Sequence, residues 1–261
     1  MPNAASPVVR PDNPVMNWDH PMARGLVGFW TWDGDTTKAR DVLERGLDAP
    51  NSNGTPTVGI GPHGRTSYID KVRYEIPAGT VIPNSETFTH HTFEWLAVPH
   101  TSGTQQYGSL FTWGGSNGDQ WIFGVNFSGS SIRMYATSQI SGADYGITKG
   151  TLIHAVAVWD GSSNWILYVN GARVASGTHS SPTLSGTARY LCGDSRGGGS
   201  NTGEYWDGGE VYLARVWNVV KTAQEVTELY RDPWEILRPT PIPPSAAGGG
   251  GCSPHSCGSA R

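Results

Sequence analysis

From Gly25 onward the chain is written in short apolar, β-branched and aromatic runs, each closed by a cluster of Gly, Asn, Asp or Ser. GLVGFWTW (25–32) ends on Asp33, Gly34 and Asp35, and further runs follow: YEIPA near 74, HTFEWLAVP (91–99), SLFTWGG (109–115), QWIFGVNF (120–127), SIRMYATS (131–138), LIHAVAVWD (152–160), NWILYVNGARVASG (164–177), ARYLCGD (188–194) and GEVYLARVWN (209–218). Strands at this spacing with no helical runs between them predict an all-β sandwich or barrel. In HAVAVW both alternating sets are apolar, which predicts a central strand covered on two faces. In VYLARVWN the alternation sets Val211, Leu213, Arg215 and Trp217 against Tyr212, Ala214, Val216 and Asn218.

Two local signals are sharper. Asn170-Gly171 between WILYV and ARVAS predicts a two-residue hairpin, because both central residues of a type I′ turn need φ > 0. Thr222 with Glu225 three residues on is a capping box opening one short helix to Tyr230, striped by Val226, Leu229 and Tyr230 and ended by Asp232-Pro233. Residues 1–24 are polar, proline-bearing and without period, and read as an extended arm; 25–237 read as the folded domain, and 238–261 as a Pro/Gly-rich flexible tail.

Composition agrees: 35 Gly and 18 Pro in 261 residues, with only 15% charged residues, imply many turns and few surface helices. A net charge of −4 without a basic stripe gives no footprint for nucleic acid. No apolar run is long enough for membrane insertion, and MPNAASPVVRPDNP lacks the apolar core of a signal peptide, so synthesis in the cytoplasm without Sec-type export is expected. Of three cysteines, Cys192 reads as a small buried hydrophobe. Cys252 and Cys257 lie in the tail CSPHSC, where a bridge, a metal with His255, or a free mobile end are all open.

The order of elements resembles the laminin-G-like, concanavalin A-like jelly roll. Three stretches carry the likeness: HAVAVWDGSSNWILYVNGARVASG, the closing GGEVYLARVWNVVKTAQEVTELY, and the opening GLVGFWTWDGD followed by FTHHTFEWLAVPHTS. The resemblance implies a two-sheet antiparallel jelly-roll sandwich with one short C-terminal helix. NWDHPMARGLVGFW and LYRDPWEILRP are further similar to the flanks of laminin-G-like proteins of tailed bacteriophages. That narrower likeness implies a virion surface component, as capsid decoration, head fibre or tail-associated protein. Its partners would be capsid or tail proteins, a second copy of itself, and host glycans. A carbohydrate-binding or adhesion module of a cellular protein is the alternative, and a glycoside hydrolase of the related fold a more distant one.

No catalytic constellation is expected. The E-x-D-x-x-E pattern of the resembling glucanases is absent, and Glu204 and Asp207, three apart, would fall on opposite faces of a strand. G-x-S-x-G, H-E-x-x-H and phosphate-loop motifs are also missing. His90 and His91 have no partner at metal-ligand spacing, and His154 reads as a satisfied strand histidine. Calcium is held at the sheet edge in many such sandwiches, and Asp33, Asp35, Asp160, Asp194 and Asp207 are candidates. Each also sits beside Gly or Ser in a turn, where Asp recurs for local reasons, so no metal or other cofactor is assigned. The eleven tryptophans leave a ligand-binding set. Trp113, Trp121, Trp165, Tyr145, Tyr205 and Trp206 fall at strand ends or in polar loops where a ring can stack on a sugar, with Asn117, Asp119, Asn201 and Asp207 to hydrogen-bond it.

Overall fold

The structure, a computed structural model, describes residues 10–11, 15–61, 64–77, 90–100, 107–114, 120–126, 130–136, 138–139, 145–161, 163–179, 189–193 and 206–238. The strands are β1 (Leu26–Thr31), β2 (Lys38–Asp41), β3 (Ala49–Asn53), β4 (Thr57–Gly61), β5 (Gly64–Glu75), β6 (His90–Pro99), β7 (Tyr107–Gly114), β8 (Gln120–Asn126), β9 (Ser131–Ala136), β10 (Ser138–Gln139), β11 (Tyr145–Gly146), β12 (Ile153–Asp160), β13 (Asn164–Val169), β14 (Ala172–Thr178), β15 (Arg189–Leu191) and β16 (Trp206–Trp217). One helix, α1 (Ala223–Arg231), follows them. The pairings among them are antiparallel.

Two layers result. The first sheet runs β1-β16-β6-β12-β13-β14; the second runs β5-β15-β7-β8-β9, with β10 and β11 both on β9. The long strand β5 joins them, pairing β16 from Ser67 to Val72 and β15 at Tyr74 and Glu75, while β2 and β3 close the path from β1 back to β5. Strand β4 hangs on β5 alone among the described residues. The expected all-β sandwich is therefore found.

Strand β6 shows why the layers form. Because alternate residues face opposite sides, Phe93, Trp95 and Ala97 point into the sandwich and Thr92, Glu94 and Leu96 point out of it. The inner rings meet the second sheet: Phe93 lies 5.6 Å from Phe111 and 5.5 Å from Trp113, and Trp95 lies 5.9 Å from Phe123. Strand β12 repeats the scheme, with Ala155, Ala157 and Trp159 inside and His154, Val156 and Val158 outside. Strand β16 departs from the simple alternation. Leu213 and Trp217 face outward as expected, but Val211 lies in the inner core with Ala214 and Val216, and Tyr212 joins the outer cluster. A bulge between Val211 and Leu213 shifts the register by one residue and reverses the faces across it.

The local signals are found as expected. Asn170 and Gly171 have φ of 51° and 76° at the β13–β14 turn. Thr222 caps α1, its hydroxyl accepting from Glu225 N while Glu225 accepts from Thr222 N.

The first sheet's outer face is covered by the chain's flanks. Leu26, Phe29, Leu96, Leu213 and Trp217 need cover, and Met22, Leu229, Trp234, Ile236 and Leu237 supply it. The segment 15–24, expected as part of an extended arm, thus packs on the domain. Met22 and Ala23 are buried, Asn17 N donates to Ile236 O at 2.8 Å, and Trp217 Nε1 donates to Met22 O at 2.9 Å. Arg10 pairs with Asp33 at 3.3 Å and lies over the Trp234 ring. A short polar segment carries no periodicity to announce such a role; the apolar face beneath it does.

Beneath this cover Glu94 is fully buried. Arg215, its cross-strand partner in register, donates from Nη2 to Glu94 Oε1 at 2.6 Å, and His154 Nε2 meets the same oxygen at 2.7 Å. The Arg215 guanidinium also sits over Phe29 and Trp217. His154 is the structural histidine the sequence suggested, with Tyr230 of α1 against its ring. Burial alone would raise the Glu94 carboxyl, but Arg215 and His154 outweigh it and hold the group below its ordinary value of 4.5. A depressed folded-state value contributes stability that is present above the unfolded-state value and is lost as pH falls through the folded one. Removing the carboxylate leaves a buried, unpaired guanidinium, so Glu94→Ala is expected to cost about 3–5 kcal/mol in urea unfolding at neutral pH. The difference in midpoint between wild type and Glu94→Gln should narrow on acidification below about pH 4.5. A pH-independent difference would show that the carboxylate is not the stabilising species.

Candidate functional site

The second sheet has one face in the core and one turned away from the first sheet. Leu191 of β15 and Tyr74 of β5 are fully buried in the core, so their neighbours Tyr190, Arg73 and Glu75 lie on the opposite, outward face. Tyr190 sits in register between Glu75 on β5 and Thr112 on β7, and of these Thr112 is fully buried, so the accessible part of the row is its β5 end. The backbone register continues that row through Ile122 and Tyr135 to Gln139 at the sheet's end.

The row carries a built polar group at its β5 end. The Arg73 guanidinium stacks on the Tyr190 ring at 4.4 Å, and its Nε donates to Ser52 Oγ of β3 at 3.1 Å. Gly193 makes room for the Arg73 stem: a Cβ there would stand 2.9 Å from Arg73 Cβ and Cγ. Arg73 and Tyr190 are half-buried, while Ser52 and Glu75 are exposed. Guanidinium donors, a carboxylate acceptor and a hydroxyl thus surround one aromatic ring, a set suited to a neutral ligand dense in hydroxyls, which both donate and accept. Cys192, next along β15, is fully buried as expected, with its thiol pushed well up by burial and so unreactive.

The sequence-predicted residues do not converge on this site. Trp113 and Trp165 are each 1% exposed and are core residues. Trp113 packs between Phe93 and Phe111, and the Trp165 ring is roofed by β14, where a Cβ on Gly177 would come within 2.9 Å of it. Neither ring can stack on a ligand from solvent. Tyr145 is 39% exposed at the β11 edge, four strands from Tyr190 and so about 19 Å away by strand spacing. Trp121 pairs in register with Trp113, and Trp206 and Asp207 pair with Val72 and Asp70; only their backbone positions are described. Asn117, Asp119, Asn201, Tyr205, Asp194 and Glu204 lie outside the described residues, as do Cys252, Cys257 and the tail.

The described aspartates offered for calcium are engaged locally. Asp33 pairs with Arg10 and Arg40, and its carbonyl accepts from Arg65. Asp35 accepts from the Thr37 hydroxyl and amide, which hold its carboxyl below the ordinary value, and Asp160 accepts twice from Asn164. Among the described residues no three His, Cys, Asp or Glu side chains gather as a metal would require. His91 is buried beside Phe93 and His90 is exposed.

Two antiparallel sheets packed face to face through interleaved aromatic rows define a jelly-roll sandwich. The chain belongs to the family described as the concanavalin A-like lectin/glucanases superfamily, whose profile matches residues 70–227. Comparison with curated protein sequences finds no match. Among solved structures, domain 4 of AbnA, a GH43 extracellular arabinanase from Geobacillus stearothermophilus solved in complex with arabinotriose, is similar with a TM-score of 0.57 at 18% identity. The match covers 78% of this chain and 98% of that one. Trypanosoma rangeli sialidase is similar with a TM-score of 0.59 at 15% identity over 90% of this chain but 37% of that one. The binding domain of Paraclostridial Mosquitocidal Protein 1 gives 0.54 at 13%, over 80% and 52%. At these identities the likeness is one of fold.

Reassigning the two tryptophans to the core has a direct check. Trp113→Ala and Trp165→Ala should each lower unfolding stability by about 3–5 kcal/mol in urea titration. A fully stable Trp165→Ala protein would return that ring to the surface.

Proposed function

We propose that this chain is a non-catalytic glycan-binding sandwich whose ligand lies at the β5 end of the second sheet's outward face, with Tyr190, Arg73, Glu75 and Ser52 as its anchoring residues. The observation that carries this reading is the Arg73–Tyr190 stack, braced by the Ser52 hydroxyl and standing beside the exposed Glu75. It stands on the face away from the flanking segments. The whole-domain match to an arabinotriose-bound domain supports the same reading. The non-catalytic reading is supported by two described carboxylates being taken up in the fold: Glu94 is sealed under Arg215 and His154, and Asp33 is held by two arginines.

The setting we propose is a bacteriophage particle, where the domain is displayed by capsid or tail proteins. The two phage-like flanks form one patch, joined by the Asn17–Ile236 hydrogen bond and by His20 beside Glu235 at 3.3 Å. A partner gripping that patch leaves the Arg73–Tyr190 end of the opposite sheet accessible to ligand.

A glycan array probed with the full chain, followed by titration of the hits, tests the ligand. Tyr190→Ala and Arg73→Ala should each weaken binding about tenfold or more with the melting temperature unchanged. Binding to no glycan, or full binding by both variants, would overturn the site, and release of shortened sugars from a bound oligosaccharide would overturn the non-catalytic reading. Mass spectrometry of intact phage particles lacking the chain would overturn the setting.

A further inference from the structure

Strand β4 is unlike the other strands of the first layer. It is uncharged, Thr-Val-Gly-Ile-Gly, and it pairs only with β5, so among the described residues one ladder of N–H and C=O groups has no strand beside it. Its register with β5 sets Val58 opposite Ser67, Gly59 opposite Thr66 and Ile60 opposite Arg65. Val58 is 39% exposed and Ile60 86%, the most exposed large hydrophobic side chain described. Natural sheets guard such edges with charge, bulges or cover. The opposite edge, β14, is guarded: it is bulged against Leu167 and Tyr168, carries Arg173 and is flanked by α1. Among the described residues β4 carries neither a charge nor a bulge, and although Gly34 lies against Val58 the Ile60 side chain stays in solvent.

We propose that β4 is a self-pairing edge, and that two copies of this chain join their β4 strands antiparallel about a two-fold axis through Gly59. The occupant follows from the pattern of the strand. Antiparallel pairing about Gly59 sets Val58 of each copy opposite Ile60 of the other, and all four side chains share one face. Thr57 falls opposite Gly61, where no bulk intervenes. A second copy supplies this aliphatic stripe by construction, in the isologous way that closes a dimer.

The charges permit the pairing. Arg65 lies one strand behind Ile60, so a row across the joined sheets reads Arg65, Ile60, then Val58 and Ser67 of the second copy. The two Arg65 side chains are therefore in different rows and three strand spacings apart, about 14 Å, beyond the screening length of about 8 Å in physiological salt. A junction of two short strands buries less than a standard interface, which places the affinity at the weak, micromolar end. Display of many copies on one surface would favour it, but the inference stands on β4 alone and not on the glycan reading.

Sedimentation equilibrium of the full chain is expected to show a dimer at concentrations on the order of 100 µM. Ile60→Lys should raise its dissociation constant at least about tenfold without changing the melting temperature, since the side chain is already in solvent. A second variant gives the geometry. A Cβ on Gly59 meets only Thr66 Cγ2, at 3.9 Å, so cysteine fits there. Across an antiparallel ladder paired Cα atoms are about 4.5–5.5 Å apart, within disulfide reach. In a Cys252→Ser/Cys257→Ser background, mild oxidation should cross-link Gly59→Cys into a dimer and leave Thr57→Cys, which sits about 13 Å from its own copy, monomeric. A chain monomeric throughout that range would overturn the proposal. So would a dimer indifferent to Ile60→Lys, or equal cross-linking of the two cysteine variants.

Discussion

A strand buried on both faces has to be told which face is which, and in β6 that decision rests on the cross-strand pair of Glu94 and Arg215. Strand β6 is apolar on either side of Glu94, so hydrophobicity alone would tolerate a slip of one residue. The carboxylate would not, because a slip turns it into the aromatic core between Phe93 and Phe111. The pair thus fixes the register of β6 against β16, and His154 on β12 binds the third strand into the same choice. Ion pairs of this kind add little stability over a well-packed apolar substitute, but they penalise the wrong arrangement heavily.

The same pair dictates what must happen above it. A guanidinium and a carboxylate at 0% exposure require a lid that excludes water, and the lid is made from the two ends of the domain. Met22, Trp234, Ile236 and Leu237 close over the outer face, Lys221 reaches the Met22 and Arg24 carbonyls, and α1 sets Tyr230 against His154. The first sheet is consequently covered on both sides, and the half-buried Arg73–Tyr190 pair falls to the other. The sealing of the first layer therefore begins with which residue of β6 carries charge.

Much of the scaffold was legible in the sequence because its signals are local. An apolar run revealed β6, alternation β12, Asn170-Gly171 the hairpin, and Thr222 with Glu225 the helix start. Strands β2, β3 and β4 were not legible: Lys38–Asp41 and Thr57–Gly61 are short, mixed or exposed, and are strands only because β5 and β1 offer them partners. The bulge at Val211–Leu213 is set by how β16 divides its length between β5 and β6, which no single run can show. The site was less legible still. Glycine- and serine-rich surroundings made Trp113 and Trp165 look like loop aromatics, when the facing sheet and Gly177 cover them. Arg73 and Tyr190 meet only because β5 and β15 are neighbours in space, and neither is conspicuous in its own run.

The contact between Asn17 and Ile236 means that the chain enters and leaves the domain at nearly one point. Such a body can be grafted into a loop of another protein without prising that loop apart, like a bead hung on a closed clasp. Tension passing along the grafted backbone would load the clasp and its few hydrogen bonds while the sandwich beyond it stays slack. A pull from something held on the far sheet travels the other way, through the packed aromatic rings between the layers.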